Sequence, residues 1–203
     1  MLKEFVIRYE GYYKLPHDVF ISRPTAINNV QTNFCDNLEA ALRIRGLKLR
    51  SLGTTDYSNK APLLGVRQLL NNCEGVIILG LKQIFVKDCI EKDGTTKKKE
   101  RKEFYLPTAW NHLEGGIAFG LNLPLLILCE EGVEGGIFDQ GVTDKFIHHI
   151  RLSLDNKDDS QILLSIQRYF ASEEFLQPLN EWHEEVILYD WKKRKKQEES
   201  SYL

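Results

Sequence analysis

Glu114 stands four residues after Trp110 in a stretch that reads as the start of a helix. At that spacing the carboxylate and the indole share one helix face. Near a helix N-terminus, free backbone N–H groups and the positive end of the dipole favour an ionised carboxylate and nearby phosphate oxygens alike. The indole could hold a flat base or a ribose edge. A second group of candidates follows a short strand-like run at residues 18–22. Ser22 and Thr25 offer hydroxyls there, and Arg23 offers a bidentate fork for an anion. Tyr57, in the polar stretch after the next strand-like run, could stack on a base.

Each of these residues also has a plainer reading. Glu114 could merely complement the helix dipole, Trp110 could be core, and Arg23 could pair with a carboxylate. Asp18 reads as an anchor for the first strand and His112 as a surface or packed histidine. Gly115 and Gly116 argue for more at Glu114. Two glycines inside a helix cost roughly 1 kcal/mol each relative to alanine, so something should compensate, such as close approach of a strand or a ligand. His17, His112, His148, His149 and His183 show no zinc-type spacing, and no metal site is expected. Cys35, Cys73, Cys89 and Cys129 contain no C-x-x-C pair and read as reduced core thiols of a cytoplasmic protein.

The elements that must position these residues alternate along the chain. Short apolar runs at residues 18–22, 47–52, 75–81 and 123–129 read as strands, with a further one at 145–154 and a leading strand or arm at 2–9. Residues 11–16 read as a turn. The unbroken runs GVIILGL and LPLLILC suit strands buried on both faces of a parallel sheet. Helical spacing marks residues 28–46, closed by Gly46, and a helix opened by Pro62 that ends near Cys73. A third helix starts near Pro107 and Thr108, with the proline in its first turn, and two more cover residues 161–170 and 175–191. The charged tail after them reads as a fraying helix end. Residues 82–103, rich in lysine, read as a solvated, mobile insertion, the other reading being a basic contact surface for a phosphate-rich partner. The pattern predicts an α/β, flavodoxin-like three-layer fold with a central parallel sheet, ligands binding outside the carboxyl ends of its strands. At 203 residues with a net charge of −2, the chain is long enough for one full core and shows no global pull toward nucleic acid or anionic membrane.

Two segments resemble TIR domains. His17-Asp18-Val19-Phe20-Ile21-Ser22 is similar to their D-V/A-F-I-S strand, and Phe34, Leu38, Ala41, Leu42, Gly46 and Leu47 fit the helix that follows it. Thr108, Trp110 and Glu114 fit the family's S-x-W-C-x-x-E motif, with Asn111 where the cysteine usually stands. The stretch Glu114-Gly115-Gly116-Ile117-Ala118, with Gly120 and Pro124 beyond it, also resembles nucleoside 2-deoxyribosyltransferases. Together the resemblances cover residues 17–130. With the element pattern they give a TIR-like α/β domain expected over residues 1–155, its basic insertion at about 82–103; the helices read beyond it predict a helical extension over 156–203 packed on the same domain.

The resemblance implies an NAD nucleosidase in which Glu114 is catalytic and Ser22, Arg23, Thr25, Tyr57 and Trp110 bind substrate, with NAD consumed as substrate and no cofactor. Ordinary glycosides need a second carboxyl group to protonate the leaving oxygen. The nicotinamide of NAD leaves as a neutral base, so one carboxylate suffices to stabilise the oxocarbenium-like transition state. The product would be ADP-ribose or a cyclic or conjugated ADP-ribose signal. Antiphage defence, a separate effector protein and a homo-oligomeric active form are implied by analogy; a membrane or nucleic-acid partner is not expected. Two other functions stay open: a nucleoside or nucleotide 2-deoxyribosyltransferase-like N-glycosidase, and a non-catalytic TIR adaptor or nucleotide sensor.

Overall fold

The computed structural model describes residues 16–152 and 158–201. The leading strand or arm expected at residues 2–9, and the turn expected at 11–16 apart from Pro16, lie outside them. In chain order the elements are β1 (His17–Ser22), α1 (Asn29–Ile44), β2 (Leu47–Arg50), α2 (Pro62–Asn71), β3 (Gly75–Gly80), β4 (Ile84–Glu91), β5 (Lys99–Leu106), α3 (Ala109–Gly120), β6 (Leu125–Glu130), β7 (Ile147–Ile150), α4 (Asp159–Phe170) and α5 (Glu173–Ser201). Five strands form one parallel sheet in the order β2-β1-β3-β6-β7. This is an α/β architecture of the flavodoxin-like kind.

The two unbroken apolar runs explain the centre of that sheet. Every residue of β3 and β6 is buried, which a strand tolerates only when both faces are covered. Alternate residues feed two cores. Val19, Ile21, Ile77, Leu79, Leu126 and Leu128 pack with Phe34, Leu38 and Leu42 of α1 and with Phe175, Leu179, Trp182 and Val186 of α5. Phe20, Val76, Ile78, Leu125 and Ile127 pack on the other face with Val66, Leu69 and Leu70 of α2 and Ala118 of α3. The helix ends follow local chemistry. The Asn28 side chain accepts from the Gln31 N–H at 2.9 Å to start α1, and Gly46 (φ +73°) ends that turn.

One glycine brings the last helix directly onto the sheet. A Cβ on Gly75 would stand 2.5 Å from Val186 and 3.0 Å from Trp182. The Trp182 indole N–H donates to the Pro124 carbonyl at 3.1 Å, just ahead of β6. Helix α5 therefore lies against the beginnings of β3 and β6.

Several expectations need correction. Residues 82–103, read as a mobile insertion, contribute to a regular antiparallel hairpin in which Ile84 pairs with Leu106 and Glu91 with Lys99. Its exposed faces hid the strand period, because the charged residues on it meet water and not a second layer. The hairpin is held by the Phe85–Tyr105 ring pair at 5.0 Å and by the Arg101 guanidinium over Phe104 at 4.2 Å. It is tied to the loop after β6 by Tyr105 N–H to Gly132 O and Glu134 N–H to Tyr105 O, both at 3.0 Å. Arg101 also pairs with Glu91 and Glu134, so the segment is not a bare basic run. Pro107 precedes the first turn of α3, and Thr108 is the N-cap. Helix α5 continues to Ser201, through the lysine-rich tail. Cys35, Cys73 and Cys129 are buried, whereas Cys89 lies on the hairpin; none is in a disulfide. No helix among the described residues is long and apolar enough to cross a membrane.

Candidate functional site

Strand β1 runs between β2 and β3, so its carboxyl end opens the crevice where such sheets bind ligands. A cavity of about 320 Å³ lies there, walled by Ser22, Arg23, Pro24 and Thr25 after β1, by Ser51 and Leu52 after β2, by Pro62 and Val66 of α2, and by Thr108, Trp110, Asn111 and Glu114 of α3 and its cap. Five of the six residues selected from sequence line it: Ser22, Arg23, Thr25, Trp110 and Glu114. Tyr57 is not brought in. It is 82% exposed and its hydroxyl donates to the Thr54 carbonyl at 3.1 Å.

Glu114 is half-buried. Burial raises its pKa above the ordinary carboxylate value, and a hydrogen bond with Ser22 works in the opposite direction. Among the described residues no basic side chain forms an ion pair with it of the kind that Asp56 and Asp18 form with Arg50. Asp18, with Arg50 Nη1 2.7 Å from its carboxylate and its own N–H donating to Glu74, anchors β1 as the plainer reading had it. The Trp110 indole is 44% exposed, so its ring is not committed to the core.

The residue that joins the site together is Asn111, which in the sequence stands out only as a departure from the motif. It is 1% exposed. Its Nδ2 donates to Ser22 O at 3.3 Å, Ser22 Oγ at 3.0 Å and Leu79 O at 3.3 Å. Its Oδ1 accepts from the Thr108 hydroxyl at 2.8 Å and the Thr108 N–H at 3.3 Å. One amide thus pins the first turn of α3 to the ends of β1 and β3. A signal was present: a polar residue on the inward face of an apolar helix segment needs buried partners.

The paired glycines after Glu114 have different explanations. A Cβ on Gly115 would stand 2.1 Å from Ile137 Cδ1 and 3.5 Å from Ile78 Cδ1, so the expected close approach is to the loop after β6 and to β3. A Cβ on Gly116 would meet nothing within 4 Å, and the structure offers no reason for a glycine there. His112 faces away from the cavity. Its Nδ1 accepts from Ile137 N–H at 3.4 Å, and burial lowers its pKa. Among the described residues no three of His, Cys, Asp and Glu come together as a metal-binding group.

A second cavity of about 700 Å³ shares Ile21, Arg23, Pro24, Thr25 and Ser51 with the first. It runs along α1 and β2 past Asp36, Glu39, Arg43 and Lys48. Arg23 and Thr25 stand where the two meet. The chain matches no family model, no curated protein and no solved structure. The functional reading therefore rests on the geometry of the site and on the sequence motifs.

Proposed function

We propose that this protein is a TIR-like enzyme that cleaves the bond between nicotinamide and ribose in NAD, with Glu114 as its carboxylate. The observation that supports this most is the convergence of Glu114, Trp110, Ser22, Arg23 and Thr25 on one cavity at the carboxyl end of β1. In the reaction the C1′–N bond breaks and its electron pair returns to the pyridinium ring, which departs neutral. Glu114 hydrogen-bonds the ribose hydroxyls and stabilises the positive charge that grows on the sugar. The Trp110 face holds the departing ring, and Arg23 with Thr25 receives the diphosphate. Attack by water gives ADP-ribose, and attack by a nucleotide nitrogen or oxygen gives a cyclic or conjugated product. A cytoplasmic setting and a role in antiviral defence belong to the same proposal.

Deoxyribosyl transfer between bases is the second reading, since the same carboxylate could serve as a nucleophile. The adjoining second cavity favours NAD: a mononucleoside has no use for it, whereas a dinucleotide has a second half to place. Incubating concentrated protein with NAD, and separately with deoxynucleosides and free bases, tests both. Nicotinamide release that falls at least about a hundredfold in Glu114→Gln is expected. Base exchange on deoxynucleosides without nicotinamide release would establish the second reading instead. Inactivity on both, even after assembly is forced, would leave the adaptor reading.

A further inference from the structure

We propose that Gln31 and Glu130 are positioning residues: a buried amide and a buried carboxylate, neither of them in the wall of either cavity, fix the loop that carries Arg23 and Thr25 and so set the anion-receiving end of the site. The proposal rests on the reading that Arg23 and Thr25 receive the diphosphate.

Gln31 is 1% exposed in the first turn of α1, and Glu130 is 4% exposed at the end of β6. Main-chain groups fix the direction of the Gln31 amide. The Ile27 N–H, 3.0 Å away, can only donate, so the amide end facing it is oxygen. The Lys82 carbonyl, 3.3 Å away, can only accept, so the end facing it is nitrogen. Nε2 has a second proton, and Glu130 Oε2 accepts it at 2.9 Å. The same carboxylate oxygen accepts from the Lys82 N–H at 2.9 Å, and the Lys82 ammonium stands 3.8 Å from Oε1. Both protons of the amide nitrogen therefore have their own acceptor.

The core does not require these bonds, since burying an amide and a carboxylate costs desolvation that apolar side chains would avoid. What they do is join four segments: the loop at residues 23–28, α1, the loop after β3 and the end of β6. Ile27 lies in the same loop as Arg23 and Thr25. A second tie reaches Thr25 itself, whose carbonyl accepts from Gln83 Nε2 at 3.3 Å. Both ties end on Lys82 and Gln83, at the root of the hairpin of β4 and β5, where the Gln83 N–H donates to the Leu106 carbonyl at 3.2 Å. The loop is thus clamped from the far side of the cavity wall. Placement matters at such a site, because a shift of about 1 Å in a group that orients substrate can cost roughly a hundredfold.

The test uses ADP-ribose, which carries the diphosphate and needs no turnover. It is titrated calorimetrically into the full chain as wild type, Gln31→Met, Gln83→Met, Glu130→Gln and Arg23→Gln, while NMR follows hydrogen exchange of the Ile27 N–H. Gln31→Met should weaken binding about tenfold, the upper worth of one neutral hydrogen bond. Its Ile27 N–H should exchange faster while the amides of β3 and β6 keep their protection. Glu130→Gln retains an oxygen for the same two donors and should bind like wild type; a loss equal to that of Gln31→Met would overturn the role given to Glu130. Gln83→Met should show a smaller loss in the same direction. It leaves Gln31 and Glu130 paired, so it keeps the test decisive if Gln31→Met does not fold. A lower melting temperature with unchanged affinity, in Gln31→Met or in Gln83→Met where only that variant folds, would make the network purely structural and overturn the proposal. Wild type that fails to bind ADP-ribose, with Arg23→Gln no different, would overturn the reading of Arg23 and the proposal with it; wild type that binds beside unaltered variants would overturn the proposal alone.

Discussion

Burial and a single hydroxyl pull the proton affinity of Glu114 in opposite directions, and burial is the larger effect. The sign of the stability effect follows. With the folded-state pKa raised, the native protein binds more protons than the unfolded chain in the window between the two values. Stability therefore falls as pH rises through that window, and the full cost of a buried carboxylate is present above it. Glu114→Gln removes that cost. We expect the variant to melt higher than wild type at about pH 7, with the difference closing as pH falls through the folded-state value. A variant that melts lower at neutral pH would show that the carboxylate serves the fold. Five of the site residues were legible because a strand end and a helix start fix where their side chains emerge. Tyr57 lies in an irregular loop whose side-chain directions follow no period, so its exposure could not be read. Asn111 was missed for a different reason: its three acceptors belong to Ser22 and Leu79, 89 and 32 residues away in sequence.

Helix α3 poses a sharper question, because its two adjacent glycines make opposite predictions. Gly115→Ala would drive a methyl group into Ile137. Such overpacking costs about 1–3 kcal/mol. Gly116→Ala meets open space and should gain about 0.5–1 kcal/mol from helix propensity alone. Denaturant melts of the two variants settle this, and equal effects would mean that the Ile137 contact does not constrain the helix. The sequence announced that the pair needed compensation but not that only one of the two receives it, since the partner comes from a loop more than twenty residues downstream. The hairpin of β4 and β5 was illegible for a related reason. Both of its faces meet water over most of their length, so no alternation of apolar and polar residues marks it as strand.

For the whole molecule, α5 is one wall of the sheet's core, since Phe175, Leu179, Trp182 and Val186 share a cluster with Val19 and Ile21 of β1. Reading residues 156–203 as an extension packed on a domain ending near 155 understates that role. Parallel strands buried on both faces imply that something covers each face, but they do not say which segment does so. Truncation after Ala171 should abolish cooperative thermal unfolding, and Trp182→Ala should lower stability by about 3–5 kcal/mol. A truncated chain that still melts cooperatively would make α5 an accessory.

The contact of Gly75 with Trp182 and Val186 also bears on timing during synthesis. The first strand and the helix that covers it are made far apart in time, and contacts of such long sequence separation are slow to form. The ribosome must pass residue 187 before the core around β1 can close. Until then Ser22 and Arg23 have no fixed place from which to meet α3, so a nascent chain carries the candidate site residues without the cavity they line. The cavity at the carboxyl end of β1 is thereby among the last features of the fold to form.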